Sequence, residues 1–342
     1  MNSEFELWLF FLLTFAAAGA LTGFIRAYAL WKNILDIPGS RSSHAIPTPR
    51  GGGLAIVVVF VAILIVLKVM HIIHTGLFIS IFGSSIPIAT IGMWDDYKNV
   101  RPLIRLPVHF LAAIWIILWS GYIGELTFGK YHVNLDWFGI VLTVLALMWL
   151  LNLYNFMDGI DGLASIETIT VAVGAAALLF GNLDVSSTIV LIFLACATAG
   201  FLLWNWHPAK IFLGDAGSGF LGICIGALCV HTLNEGSLSV WVWIILLAVF
   251  LVDATVTLIR RLLRGQRIYQ AHRDHAYQHA ARACGSHATV TVSVLLINVL
   301  WLWPLAYIAN RHQILAMPLC VLALAPLVLI SLHWRAGLSE SD

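Results

Sequence analysis

The sequence predicts an all-α integral membrane protein of about 11 transmembrane helices, forming one domain over 1–342, and three observations carry that expectation. Of 342 residues, 61% are hydrophobic and only 10% charged, where a soluble domain carries roughly 25% charged residues. Apolar runs of about 18 or more residues recur along the whole chain. Those runs are apolar on every face, whereas helices around a soluble core show a stripe.

The first run, 6–31, opens LWLFFLLTFAAAGA, which has the look of a signal peptide. Glu4 and Glu6 stand where such a peptide carries Lys or Arg, and the apolar character continues to Trp31, so it reads as a retained span. Further spans are expected at 53–70, 77–94, 107–123, 138–154, 163–181, 187–204, 217–234, 239–259, 289–309 and 314–333. Of the 18 Lys and Arg, fourteen then fall in one set of alternate loops, three (Lys68, Lys130, Arg311) in the other, and Arg26 within a span. By the positive-inside rule this places the N-terminus outside and the C-terminus in the cytoplasm. Trp31, Trp94, Trp204, Trp206 and Trp334 near inner ends, and Trp8, Trp137, Trp241 and Trp303 near outer ones, agree. The five cysteines form no CxxC pair, so neither a disulfide framework nor a cysteine zinc site follows. A formal net charge of +1 gives no basic excess, and no nucleic-acid partner is expected.

The inner loops hold the acids. MWDDYKNVRPLIR supplies Asp95 and Asp96, NFMDGIDGLA supplies Asp158 and Asp161, and NWHPAKIFLGDAGSGFLG supplies Asp215. The ninth span ends with Asp253, followed by many arginines and by His272, His275 and His279. Singly, each acid has an ordinary explanation. Asp158 could cap the sixth span and Asp215 the eighth, and Asp95 and Asp96 could be juxtamembrane charges paired with Lys98 or Arg101. Three clusters at one depth on one face resist that explanation, because acids near hydrocarbon are costly and tend to be functional.

Such a set suits phosphoryl transfer assisted by Mg2+, a hard cation that takes carboxylate, phosphate and water oxygens. Glycines beside Asp158, Asp161 and Asp215 allow close approach, and the helix starts that follow offer amides to an anion. Arginines of the last loop can clamp a diphosphate. Zinc on the H-x2-H-x3-H run at 272–279 is a competing reading, although oxygen donors outnumber imidazoles here. A secondary transporter is the other class weighed; it would place acids at mid-membrane in broken helices, and only Asp253 lies clearly within a span.

The motifs carry a resemblance over nearly the whole chain. DIPGSRSSHAIPTPRGGG (36–53), GMWDDYKNVRP (92–102), NFMDGIDGLA (155–164), NWHPAKIFLGDAGSGFLG (205–222), VDATVTLIRRLLRGQ (252–266) and AHRDHAYQ (271–278) occur in the order found in one family. The chain resembles the polyprenyl-phosphate N-acetylhexosamine-1-phosphate transferases of the glycosyltransferase family 4 type, WecA- and WbpL-like and related to MraY. The resemblance implies transfer of sugar-1-phosphate from a UDP-N-acetylhexosamine to undecaprenyl phosphate, releasing UMP and starting O-antigen or related cell-envelope polysaccharide. It implies Mg2+ (or Mn2+), a catalytic cleft at the cytoplasmic face of the bacterial inner membrane, and commonly a homodimer.

Residue by residue, Asp215 matches the family's magnesium aspartate, and Asp95 and Asp96 match an adjacent pair given roles in the metal site and in deprotonating the lipid phosphate. Asn155, Asp158 and Asp161 match the loop at the nucleotide-sugar end. Asn205 matches an asparagine ten residues before the metal ligand, and Phe212 the aromatic that stacks on uracil. His44 sits near where the family places a basic nucleotide contact. Arg101, Arg273, His272 and His275 are candidates for the diphosphate and sugar. The departure is at 275–278, where the family's histidine-rich run becomes His275-Ala276-Tyr277-Gln278. Only the first histidine remains, and the donor sugar, GlcNAc or a 6-deoxy relative, stays open. A lipid phosphate with a second pKa of about 6 is mostly dianionic at neutral pH, so the chemistry needs charge neutralisation more than a base. Asp95 is the candidate base for direct displacement; a covalent phospho-aspartate is the rival route.

Overall fold

The computed structural model describes residues 3–37, 46–98, 100–180, 184–266 and 272–339. Helix α1 (Ser3–Trp31) is followed by a two-residue antiparallel ladder of β1 (Leu35–Asp36) and β2 (Thr48–Pro49), with Asp36 opposite Thr48. Then come α2 (Gly53–Val69), α3 (Thr75–Lys98) and α4 (Pro102–Ser120). A hairpin of β3 (Glu125–Phe128) and β4 (Tyr131–Asn134) precedes α5 (Asp136–Phe156), α6 (Leu163–Leu179), α7 (Val185–Asn205) and α8 (Gly214–Asn234). The last part contains α9 (Val240–Leu246), α10 (Ala248–Leu263), α11 (Ala276–Cys284), α12 (His287–Ile297), α13 (Trp303–Arg311) and α14 (Ala316–His333). A π-helical turn, Asn298–Leu302, joins α12 to α13.

The architecture is all-α and membrane-spanning, and the eleven spans expected are not all confirmed by helix length and composition. Among the described residues eight helical segments are long and apolar enough to cross a bilayer, or nine if α9 and α10 count as one span broken by 80°. Helices α2 and α6 have 17 residues each. At about 1.5 Å per residue that is about 25 Å, short of a hydrocarbon core of about 30 Å. The segment expected as one span over 239–259 turns at Leu247, where α9 stops and α10 starts.

Helix α8 is the centre of the bundle, with Phe220, Leu221, Ile223 and Ile225 fully buried. Helices α3 and α5 run along it, α2 crosses beside it, and α1 and α6 pack on α7. The Phe60 ring of α2 meets that of Phe220 edge-on at 5.9 Å. Outward faces carry large apolar side chains such as Trp8, Leu12, Phe24, Leu118 and Leu145, an extent of exposed hydrocarbon that lipid rather than water must cover.

Two glycine contacts set how closely the helices meet at the end of the bundle that carries the acids. A Cβ on Gly92 would lie 2.5 Å from the Asp215 carbonyl oxygen and 2.7 Å from Ala216 Cα, and one on Gly53 would lie 2.4 Å from Gly217 Cα. Backbone touching backbone at Gly92 is what brings the last turns of α3, with Asp95 and Asp96, onto the first turn of α8. Gly92→Ala is therefore expected to destabilise by about 1–3 kcal/mol or more, because neither backbone can retreat. Gly219→Ala is the control, since its Cβ would meet only Ile88 Cγ2 at 3.0 Å. Thermal unfolding of both variants in detergent reads the difference; equal midpoints would show that α3 has room to move.

Candidate active site

Helices ending and starting at one end of the bundle bring together acids far apart in sequence. Asp96 lies in the last turn of α3, and its Oδ1 and Oδ2 accept hydrogen bonds from the backbone N–H groups of Asp215 (3.0 Å) and Ala216 (3.2 Å). These are orphan amides of the first turn of α8, so a carboxylate from α3 caps α8 where its dipole favours negative charge. Asp215 projects from the same turn. Its Oδ1 accepts from Asn155 Nδ2 of α5 at 2.8 Å and its Oδ2 from Arg105 Nη1 of α4 at 2.8 Å. Arg105 also pairs with Asp95, whose other oxygen accepts from the Val100 N–H. One guanidinium thus bridges two carboxylates. The sequence placed Arg105 among the loop charges; in the structure it occupies the first turn of α4 and reaches across to α8.

A cavity of about 270 Å³ opens between these elements. Five aspartates line it, Asp36, Asp96, Asp158, Asp161 and Asp215, with one arginine, Arg50. Asn205, Phe212, Gln278 and His287 complete its polar and aromatic wall. Asp158 is half-buried there and has no hydrogen-bond or ion-pair partner among the described residues. Burial pushes its carboxyl well above the usual range, and Asp215, Asp96 and Asp161 push the same way. Asp158 does not cap α6: the N-cap is Gly162, at φ 74° and without a side-chain cap.

Asp161 is held differently. Its Oδ2 accepts from His207 Nδ1 (2.7 Å) and the Ala209 N–H (3.1 Å), and its Oδ1 lies 3.3 Å from His287 Nδ1. Burial pushes this carboxyl up, yet the hydrogen bonds from His287 and His207 outweigh it and leave Asp161 below the ordinary carboxylate range. Asn205 is a tie between loops: its Oδ1 accepts from the Gly162 N–H and its Nδ2 donates to the Ile211 carbonyl, each at 3.0 Å. The chain after α7 is pinned to the start of α2 as well, through Phe212 N–H to the Pro49 carbonyl (2.8 Å) and Gly52 N–H to the Phe212 carbonyl (2.9 Å). That fixes the Phe212 backbone at the boundary of the first cavity and a second one of about 440 Å³.

The remaining candidates separate. Arg273 lines the second cavity, and its carbonyl accepts from Arg282. Arg101 is exposed at the start of α4. His275 is buried with its Nδ1 3.2 Å from Asp253 Oδ1, and His272 stacks on it at 5.0 Å between centroids. Burial, His275 and Arg261 hold His272 down to about 3, so it is neutral at physiological pH. Neither of these two histidines lines the acid cavity. The 272–279 run does not converge on a metal: His279 Nε2 faces the Leu338 carbonyl at 3.0 Å and its Nδ1 faces Arg282. Asp253 accepts from the Ala276 (3.0 Å) and Tyr277 (2.9 Å) N–H groups, so it caps α11. His44 lies outside the described residues.

The altered tail of the last loop has a clear placement. Tyr277 Oη donates to the Phe156 carbonyl at 2.8 Å, while Gln278 lines both cavities. Both press on the DGIDG loop, where a Cβ on Gly159 would lie 2.1 Å from Tyr277 Oη and 2.9 Å from Gln278 Nε2.

The donor set of the first cavity fits a hard divalent cation. Among its ionisable residues five aspartates face one arginine and one histidine, His287, and Asp158 presents unpartnered oxygens. An anionic diphosphate entering such a wall needs added positive charge. Asp215 and Asp96 are the residues that would hold the ion; Asp95 lies behind Arg105 and is not part of the lining.

A membrane-embedded bundle with an acid-walled polar cleft at one end is the class of protein defined by fold and site. Comparison with known proteins names the family: the description glycosyl transferase family 4 matches residues 78–233. A "Probable undecaprenyl-phosphate N-acetylglucosaminyl 1-phosphate transferase" of Bacillus subtilis is 30% identical over 85% of this chain and 82% of its own. An undecaprenyl-phosphate alpha-N-acetylglucosaminyl 1-phosphate transferase of Thermotoga maritima is 26% identical over 88% of this chain and 91% of its own. A phospho-N-acetylmuramoyl-pentapeptide-transferase of Moorella thermoacetica is 30% identical over 53% of this chain and 61% of its own. The chain belongs to glycosyl transferase family 4, in the superfamily of polyprenyl-phosphate N-acetylhexosamine-1-phosphate transferases.

Proposed function

We propose that the protein transfers an N-acetylhexosamine-1-phosphate from a UDP-sugar to undecaprenyl phosphate, giving the lipid-diphosphate sugar and UMP. The observation that carries this reading is the cavity walled by Asp96, Asp158, Asp161 and Asp215, in a chain whose relatives are named for such transfer. The donor's uridine end fits the side of Phe212, Asn205 and Asp161, and the diphosphate fits toward Asp215 and Arg50. Mg2+ or Mn2+ held on Asp215 and Asp96 would supply positive charge against the diphosphate and the leaving UMP. Asn155 and Arg105 orient Asp215, and Asp96 is itself fixed by the α8 amides. The attacking lipid phosphate is mostly dianionic at neutral pH, so charge neutralisation matters more than a proton acceptor.

The excess of Lys and Arg in the loops expected on one side supports a site on the cytoplasmic face of a bacterial inner membrane. The donor is GlcNAc or a 6-deoxy N-acetylhexosamine linked to UDP, and the product would begin O-antigen or a related envelope polysaccharide. Purified protein with undecaprenyl phosphate, Mg2+ and a panel of UDP-sugars is expected to release UMP with at least one N-acetylhexosamine donor. Folded protein that turns over none of them would overturn the reading.

A further inference from the structure

We propose that Asp161, His207 and His287 form a second metal site, for a borderline transition ion of the Zn2+ class, on the wall that Asp161 and His287 share between the acid cleft and the second cavity. One ligand atom from each of the three lies within 4.8 Å of the other two, the only such histidine-and-acid group among the described residues. They come from three places: the loop before α6, the loop after α7 and the first turn of α12. Two imidazoles and one carboxylate are a zinc-type donor set, whereas Mg2+ selects oxygen alone.

The geometry is close to what an ion needs. His207 Nδ1 lies 2.7 Å from Asp161 Oδ2 and His287 Nδ1 lies 3.3 Å from Asp161 Oδ1. Ligand atoms of a tetrahedral site with bonds of about 2.0–2.1 Å are about 3.3 Å apart. A spread of under an ångström at His207 would therefore admit the ion, with the Nδ1 proton leaving to solvent. The Asp161 N–H also lies 3.4 Å from His287 Nδ1, so that nitrogen faces both the amide and the carboxylate of Asp161. The ring centroids of the two histidines are 5.3 Å apart and tilted by 55°, so they are not stacked face to face.

Supporting contacts hold the carboxylate in place from outside the trio. The Ala209 N–H shares Asp161 Oδ2 at 3.1 Å, and Thr291 Oγ1 donates to the Asp161 carbonyl at 2.9 Å. Partners of this kind orient ligands in metal sites. Asp161 is buried while the His207 side chain is 37% exposed, and all three residues line the second cavity, so a fourth ligand can enter from there. The competing reading is an ion-paired clamp of a carboxylate between two histidines, which binds no metal. An ion in this position would tie the Asp161 loop to the loop that carries Phe212, and so stiffen the wall between the two cavities.

The test uses the full-length protein in detergent, without a histidine tag and stripped with a chelator. Co2+ titration is expected to give the visible absorption of a tetrahedral nitrogen–oxygen site at one ion per chain, displaced by Zn2+ and not by excess Mg2+. His207→Ala and His287→Gln are each expected to weaken Co2+ binding at least about 10-fold, and His279→Ala to leave it unchanged. Because His207 is partly exposed, its variant should keep the fold, and Zn2+ should raise the melting midpoint of the wild type but not of this variant. Absence of the absorption in folded protein, wild-type affinity in both ligand variants, or displacement by Mg2+ would each overturn the site in favour of the clamp.

Discussion

Replacing Asp215 with asparagine is expected to lower sugar-phosphate transfer by at least about 10³-fold while leaving the fold intact. The expectation rests on where its two oxygens go. One accepts from Asn155 of α5 and the other from Arg105 of α4, so the carboxylate stands at the meeting point of three helices on the cavity wall. Asparagine keeps the shape and one acceptor but loses the charge that a divalent cation and a diphosphate would be organised around. Arg105 keeps its ion pair with Asp95, and Asp96 still caps α8, so neither contact that positions the helix is lost. UMP release under saturating donor and acceptor, beside a melting curve of the same preparation, separates chemistry from folding. Turnover within tenfold of wild type, at an unchanged midpoint, would remove Asp215 from the assignment.

Much of this site was legible because its acids sit in short polar interruptions between apolar runs, a contrast that survives in one sequence without any structure. Asp96, Asp158, Asp161 and Asp215 do meet at one cavity, and Phe212 and Asn205 do stand on its wall. The second purpose of each residue was not legible. Asp96 caps a helix more than a hundred residues away, and Asp253, the acid that looked most like an intramembrane functional group, caps α11. Such bonds depend on which helix ends face each other, and loop spacing holds no record of that.

Arg105 shows the same limit from the cation side. Counted as a loop charge it supported an orientation; placed on the first turn of α4, it becomes the one guanidinium shared by Asp95 and Asp215. Asp161 and its histidines are separated by 46 and 126 positions, so no motif window contains all three. The visible histidine run at 272–279 drew attention by its regular spacing, yet its members turn to Asp253, Leu338 and Arg282. The count of eleven is not confirmed, because α2 and α6 are apolar but only 17 residues long and the segment over 239–259 is broken. Hydropathy reports apolar length but not direction, so a chain that turns by 80° at Leu247 reads as one continuous crossing.

Asp158→Asn is expected to abolish most activity and, at the same time, to stabilise the protein as the pH rises. Asp158 faces the cavity without a partner, and both its burial and its acidic neighbours raise its carboxyl well above the ordinary value of 3.8. A folded chain with a raised carboxyl binds a proton that the unfolded chain releases. Its contribution to stability is therefore complete below pH 3.8 and lost as the pH rises through the folded-state value. Asparagine is neutral throughout and loses nothing over that range. The melting midpoints of variant and wild type should coincide near pH 4 and diverge in favour of the variant toward pH 8, by about 2–5 °C. Transfer should fall by about 10²-fold or more over the same range if the carboxylate that costs stability faces the donor in this cavity, as the proposed function has it. Melting curves at a series of pH values in one detergent, paired with UMP release, read both effects. A variant less stable than wild type at every pH would mean that Asp158 is held by contacts that its unpartnered oxygens do not show. A variant that is more stable and fully active would leave the raised carboxyl without a role in transfer.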